Sequence, residues 1–185
     1  MGATDRELWV LNFYRNSELH GALLMGRLAR TLTDTTLLVQ VTRHSATEAR
    51  HAAMLSETIA ALGGSIDPHV TTVQEHYSAK GGVPASLVDL LVLSEVLERR
   101  VLTTYRAHLT RADVAPPVRQ CLTAILHEME QEEEHGDHAG WIDEALRAHP
   151  RTTVETASRK WQAIDVDIAG ELEGMVAARF PERQS

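Results

Sequence analysis

The apolar residues of this chain recur every three or four positions along nearly its whole length. Near the amino end, for example, Leu11, Tyr14, Ala22 and Met25 fall on one stripe. This spacing is typical of a helix that buries one face, because an α-helix completes a turn in about 3.6 residues. No segment shows the alternation of apolar and polar residues that predicts a half-buried strand. The pattern therefore predicts an all-α fold.

Capping residues, glycines and prolines divide this pattern into five predicted helices. Asp34, in the sequence TDTT, is a good N-cap for the second helix, and two glycines at 63 and 64 end that helix. We interpret residues 63–84 as a long connection with room for a short helical piece. The predicted helices run from about Glu7 to Leu32, from Asp34 to Gly63, from near Ser86 to near Thr110, from the end of the loop at 112–117 to about Ala148, and from Arg151 onward.

The order of short, long and short connections predicts the topology. A connection as long as residues 63–84 can run back along a helix of about 40 Å, so that the third helix starts at the same end as the second. We therefore expect residues 1–150 to form a four-helix bundle with one long crossover between helices 2 and 3. Residues 151–185 are expected to form an amphipathic fifth helix that packs on the bundle. Its apolar stripe consists of Trp161, Ile164, Ile168, Leu172 and Met175.

Composition narrows the classes of function. The chain has 185 residues, a formal net charge of -8 and a single cysteine, Cys121. An acidic balance is unfavourable for a nucleic-acid surface, and one cysteine permits neither an internal disulfide nor a thiolate zinc site. We expect no membrane partner, because no long apolar run is present. We also expect a cytoplasmic location, because the amino end does not resemble a secretory signal. The sequence does not decide between a monomer and a homodimer.

Ten histidines direct attention to histidine and carboxylate chemistry. Two Glu-x-x-His elements occur, Glu48 to His51 in helix 2 and Glu132 to His135 in helix 4. Such short elements arise easily by chance. They indicate a metal site only if they lie on the helix face that points into the bundle. In both helices the element falls on the face that carries the apolar residues. Both pairs are therefore expected to point into the bundle.

Helices 1 and 3 each carry an acidic residue on the apolar face, Glu18 and Glu98. Antiparallel helices bring two residues to one level when these are equidistant from the turn. Glu18 and the 48/51 pair are centred on the turn at 33–36, and Glu98 and the 132/135 pair are centred on the loop at 112–117. Six groups are therefore expected at one level inside the bundle: Glu18, Glu48, His51, Glu98, Glu132 and His135.

Four carboxylates at one buried level need cations. Burying an unpaired charge costs several kcal/mol, and Arg15, at the edge of the first stripe, offsets one charge at most. Two divalent cations neutralise four carboxylates. A mixture of carboxylate and imidazole ligands suits iron or manganese better than magnesium or calcium. We therefore expect two iron ions, or one manganese and one iron.

The order of these groups over four helices resembles the ferritin-like di-iron carboxylate superfamily, which includes the rubrerythrins, and the resemblance covers residues from about 7 to 148. It implies that Glu18 and Glu98 are terminal ligands. It implies further that the two Glu-x-x-His glutamates bridge the metals and that each histidine caps one metal. Glu95, which lies three residues before Glu98, resembles the extra carboxylate ligand of rubrerythrins. No rubredoxin-like segment follows, so an external electron donor is expected.

Other polar residues are open to plainer interpretations. In the segment HEMEQEEEHGDHAG, the acidic residues outside Glu128 and Glu132 are expected on a solvated face. His44 and Glu128 either orient metal ligands or are polar residues near a wet bundle centre. Cys121 is expected to be a small buried hydrophobe. The other histidines are expected at the surface, namely His20, His69, His76, His108, His127, His138 and His149.

Three residues are candidates for catalytic roles: Glu95, Tyr14 and Tyr105. Glu95 is a candidate because an extra carboxylate lets a site change ligands between oxidation states. The two tyrosines lie on inner stripes, where they either pack in the core with a satisfied hydroxyl or act as redox or hydrogen-bonding partners of the metals.

The resemblance implies a non-haem di-iron, or manganese/iron, oxidoreductase that activates O2 to oxidise or oxygenate a small-molecule or carrier-bound substrate. A rubrerythrin-like peroxidase that uses H2O2, or a ferroxidase that handles iron, is the alternative. A structural helical bundle without metal is the third interpretation.

Overall fold

The computed structural model describes the backbone of residues 4–134 and 140–180, and the side chains of these residues except 132–134 and 173. The described residues form seven helices and no strand, which confirms the all-α prediction for this part of the chain. The helices are α1 (Asp5–Ala29), α2 (Thr35–Ala61), α3 (Val73–Gly81), α4 (Leu87–Thr110), α5 (Pro116–Glu134), α6 (Gly140–Arg147) and α7 (Arg151–Arg179).

Side-chain caps fix where several helices begin. Asp34 Oδ1 accepts a hydrogen bond of 2.8 Å from Leu37 N at the start of α2, so the predicted cap is confirmed. Ser86 Oγ accepts from the backbone N–H of Asp89 at the start of α4. These oxygens satisfy N–H groups that have no carbonyl partner within the first helical turn.

The predicted end of the first helix differs from the observed one. The first helix was expected to reach Leu32 but ends at Ala29, where the hydroxyl of Thr31 donates to the carbonyl of Leu28 and closes the last turn. The expected fourth helix corresponds to two segments, α5 and α6, and residues 135–139 between them lie outside the described residues.

The connection between α2 and α4 is held against α1. It contains α3, so the expected short helical piece is present. Asn16 Nδ2 donates to the carbonyl oxygens of Asp67 and Val70, both at 2.9 Å. Ser17 Oγ accepts from Val73 N at the start of α3. The connection therefore follows α1 closely instead of looping into solvent.

The core lies among α1, α2, α4 and α5, with α6 extending it at one end. α1 packs along α2, α5 packs between α2 and α4, and α7 lies on α4 and α3. α7 contributes Trp161 and Ile168, both fully buried. Cys121 is buried in this core, as expected.

None of the helices in the described ranges is both long and apolar enough to cross a membrane.

Candidate metal centre

Five ionisable side chains surround one small cavity inside the bundle. α2 supplies three of them, His44, Glu48 and His51, because residues four and seven positions apart share a helix face. α1 supplies Glu18 and α4 supplies Glu98. The cavity measures about 30 Å³, which is room for about two water-sized molecules.

His44 lies between two carboxylates from different helices. Its Nε2 is 3.5 Å from Glu48 Oε1 and 3.3 Å from Glu98 Oε1. One potential ligand atom from each of these three residues lies within 4.8 Å of the others. A single metal ion can reach all three atoms with small side-chain adjustments, because metal–oxygen and metal–nitrogen bonds are about 2.0–2.2 Å long.

His51 forms the second group at the cavity. Its Nδ1 is 3.3 Å from Glu18 Oε2, within hydrogen-bonding distance. Its buried Nε2 lies 3.3 Å from Glu128 Oε2 but has no partner with hydrogen-bond geometry among the described residues. The hydroxyl of Tyr105 donates a 2.5 Å hydrogen bond to Glu18 Oε1. Glu18 is therefore held from two sides.

Glu128 closes this group toward solvent. Its side chain is 35% exposed, and Arg50 donates to its Oε2 from Nε at 3.1 Å and from Nη2 at 2.7 Å. The same oxygen faces His51. Glu128 thus separates His51 from a surface arginine.

The charges at the cavity are mostly negative. No lysine or arginine is among the described residues that line it. Arg15, the cation considered from the sequence, instead donates to Ser56 Oγ and Asn16 Oδ1. Three glutamates thus meet without a permanent positive charge among the described lining residues.

The carboxylates shift the ionisation of their neighbours. Burial alone lowers the pKa of His51, but the hydrogen bond to Glu18 and the charges of Glu18, Glu128 and Glu98 raise the pKa above its usual value. Burial, followed by the charge of Glu18, raises the pKa of the Tyr105 hydroxyl. Tyr105 therefore stays protonated and can keep donating to Glu18.

Gly21 makes room for Glu48. A Cβ at position 21 would lie 2.9 Å from Cδ of Glu48 and closer still to its Oε2. Contacts this short do not occur, so any larger residue at position 21 displaces the carboxylate. The absence of a side chain on α1 thereby lets Glu48 of α2 fold over the cavity.

The structure brings together Glu18, Glu48, His51 and Glu98, four of the six groups placed at one level from the sequence. The side chain of Glu132, and His135 as a whole, lie outside the described residues. Their assignment stays a prediction.

The three candidate catalytic residues occupy different places. Tyr105 contacts Glu18, and the ring of Tyr14 lies 4.7 Å from the ring of Tyr105, measured between centroids. Glu95 is not at the cavity: it forms an ion pair with Arg99 and lines a separate depression beside α6 and the start of α7.

Two histidines differ in importance from what the sequence indicated. His44 was open between a ligand-orienting and a merely polar role, yet it lies between Glu48 and Glu98. Its position four residues before Glu48 on the inner face was the available signal. His108 was expected at the surface, and this was wrong: it is buried, and its Nδ1 is hydrogen-bonded to the hydroxyl of Tyr14 at 3.2 Å.

The chain was compared with protein-family models, curated proteins and solved structures, and none of them matches it.

Proposed function

We propose that this protein is a ferritin-like dinuclear metal oxidoreductase that reacts with O2 or H2O2. The supporting observation is a cavity lined by three glutamates and two histidines, with no lysine or arginine among the described lining residues. Burying like charges together is strongly unfavourable without cations. Cation binding resolves this repulsion, and the donor set suits iron or manganese.

The residues divide between two metal positions. We assign His44, Glu48 and Glu98 to one position, because their ligand atoms lie within 4.8 Å of one another. We assign Glu18 and His51, whose side chains are 3.3 Å apart, to the other. Glu132 and His135 complete the set on the sequence argument alone. His44 is the addition to the ligand set expected from the sequence.

Two bound iron ions, or manganese with iron, would supply electrons for reducing O2 or H2O2. The chain's own residues prepare the site for this chemistry. Tyr105 fixes Glu18 through its hydrogen bond, and the apolar side chains of Leu24, Met25 and Met129 form part of the cavity lining. Residues that orient ligands in this way typically change metal affinity by about 10–100-fold when they are replaced.

The cavity size bears on which reaction takes place. A space of about 30 Å³ holds a molecule as small as O2 or H2O2 but no organic substrate. This observation favours a second candidate, a peroxidase or ferroxidase, over an oxygenase that admits its substrate to the metals. An oxidase that takes electrons from outside the cavity fits equally well.

Metal stoichiometry tests the proposal directly. The purified protein is loaded with Fe(II) without oxygen, freed of excess metal, and analysed for metal per chain. We expect about two iron ions per chain in the wild type, a large loss in Glu48→Ala, and a partial loss in His44→Ala. Glu57→Ala, a matched change on the exposed face of α2, should bind as the wild type does. Absence of bound metal, or an equal loss in Glu57→Ala, would contradict the proposal.

Reaction with different oxidants separates the candidate activities. Fe(II)-loaded protein is mixed with O2 or with H2O2 and followed by its absorbance, and a third sample receives excess Fe(II) with O2. Faster reaction with H2O2 indicates a peroxidase, continued turnover of added Fe(II) indicates a ferroxidase, and a single rapid reaction with O2 indicates an oxidase.

A further inference from the structure

A groove of about 330 Å³ runs between α1, α4 and α7, outside the metal centre. Its volume lies in the range of about 300–1,000 Å³ that is common for small-molecule sites. α1 forms one wall with Trp9, Phe13 and Tyr14, and α7 forms another with Leu172 and Met175. Most of the surface that an occupant would touch is therefore aromatic or aliphatic.

The charged residues of this groove all have one sign. Arg6, Arg100 and Arg111 line it, and no aspartate or glutamate is among its described lining residues. This is unexpected in a chain with 26 acidic and 18 basic residues. Arginines gathered in an apolar groove favour an anion with an apolar body.

The arginines differ in how far they are already neutralised. Arg100 is paired with Asp165 at 2.6 Å, and Arg111 with Asp113 at 2.7 Å. Arg6 has a buried Nε without a hydrogen-bond partner among the described residues. Arg6 also forms no ion pair with another described residue, so the charge of its guanidinium is not neutralised. Arg6 is thus the residue with donor capacity left for an anionic head group.

We propose that this groove binds an amphipathic carboxylate, with the carboxylate at Arg6 and the hydrocarbon body between α1 and α7. Arginine suits this head group because its planar guanidinium donates two parallel hydrogen bonds to a carboxylate. The apolar body replaces water on Trp9, Phe13 and Leu172, which provides most of the affinity.

Two tyrosines connect the groove with a residue of the metal centre. Tyr14 lines the groove, packs on Tyr105, and Tyr105 donates to Glu18. Carboxylate binding itself does not depend on metal, so it is expected in protein with and without iron. A failure to bind metal would therefore leave the groove proposal standing, and a failure to bind octanoate would leave the metal proposal standing.

Calorimetric titration with octanoate, octanol and octylamine tests the site on the full chain. We expect saturable binding of octanoate and much weaker binding of the neutral and cationic compounds. Arg6→Gln should weaken octanoate binding about tenfold or more, since hydrogen bonds between charged groups are stronger than those between neutral groups. Ala107→Trp should abolish binding, because Ala107 lines the groove and is exposed, so the larger ring fills the space without entering the core.

Arg106→Gln is the matched control, because Arg106 lies on α4, pairs with Glu130 and does not line the groove. It removes the same charge as Arg6→Gln and should leave octanoate binding unchanged. Helicity and melting temperature are compared for all variants. Three outcomes would overturn the proposal: no saturable binding, equal affinity for the three compounds, or unchanged octanoate affinity in folded Ala107→Trp.

Discussion

His108 is a buried histidine that is neutral in the folded protein. Burial, and then the positive charge of Arg111, lowers its pKa from 6.5 to about 4. Tyr14 holds the ring through a hydrogen bond to Nδ1, while Nε2 lies 4.0 Å from Glu7 Oε1. Because protonation is disfavoured only in the folded state, this residue links stability to pH.

The sign of this effect follows from proton uptake. Between pH 6.5 and about pH 4 the unfolded chain protonates His108 and the folded chain does not. Acidification therefore favours unfolding, and His108 should lower the free energy of unfolding by about 3 kcal/mol over this interval. Below about pH 4, His108 is protonated in both the folded and the unfolded chain, and its contribution to the loss of stability does not increase further.

Urea denaturation at a series of pH values measures this contribution. His108→Gln should show a shallower loss of stability between pH 6.5 and 4 than the wild type. His69→Gln is the control, because His69 is exposed, and its profile should follow the wild type. Parallel profiles for His108→Gln and the wild type would refute the assignment.

At the residue scale, the sequence predicted the helix face and the level of the site residues, but it did not predict which side-chain atoms contact each other. Glu18, Glu48, His51 and Glu98 were predicted because periodicity defines a helix face and the turns define a level. Which atoms meet depends on rotamers, which no spacing rule supplies. Glu95 illustrates this: it lies about 60° from Glu98 around the helix, and Arg99 one turn later forms an ion pair with it.

At the scale of single elements, the position of the Glu48 carboxylate of α2 against α1 depends on Gly21. Glycine in the interior of a helix is about 1 kcal/mol less favourable than alanine, so a reason for its presence is expected. That reason is the carboxylate of Glu48, which occupies the space of a side chain at position 21.

Gly21→Ala should therefore separate stability from metal binding. The displaced group is the flexible end of Glu48, so the fold should persist, with a gain of up to about 1 kcal/mol in helix stability. Metal content should fall because Glu48 can no longer lie over the cavity. Gly26→Ala is the control, since a Cβ there would lie 3.4 Å from Ser45 Oγ. Metal analysis and thermal melts are measured for both variants. Full metal content in Gly21→Ala would rule out this role for the glycine.

Helix positions were largely predictable because they rest on local chemistry. The cap at Asp34, the start of α4 near Ser86 and the glycines after α2 follow directly from residue types. The attachment of the crossover to α1 was not predicted. It rests on hydrogen bonds that Asn16 donates and Ser17 accepts, with partners more than fifty positions away, and such long-range pairs leave no periodic signal.

At the scale of the whole molecule, α7 is joined to the rest of the chain through Trp161. This ring is fully buried, its Nε1 donates to Asp89 Oδ1 at 2.6 Å, and it packs on the backbone of Gly81 at the end of α3. α7 is further tied by Asp165, which accepts from both Tyr77 and Arg100. The last helix thus holds the crossover and α4 together.

Trp161→Ala should therefore destabilise the whole protein and not α7 alone. The expected cost is about 3–5 kcal/mol, as for other large buried aromatic residues replaced by alanine. Urea unfolding followed by circular dichroism should show one transition, shifted to lower urea. Trp9→Ala, at a half-buried tryptophan, should cost less. A separate early transition that involves only α7 would contradict this expectation.

The hairpin of α1 and α2 also has a consequence for the order of assembly during folding. Glu18, His44, Glu48 and His51 all belong to this one contiguous pair of helices, and only Glu98 reaches the described cluster from farther along the chain. Helices that are neighbours in sequence close short loops and associate early, before distant helices dock. An ion bound by the hairpin of α1 and α2 during folding would reduce the repulsion between its glutamates. α4 would then dock on a hairpin that already holds most of the described metal ligands.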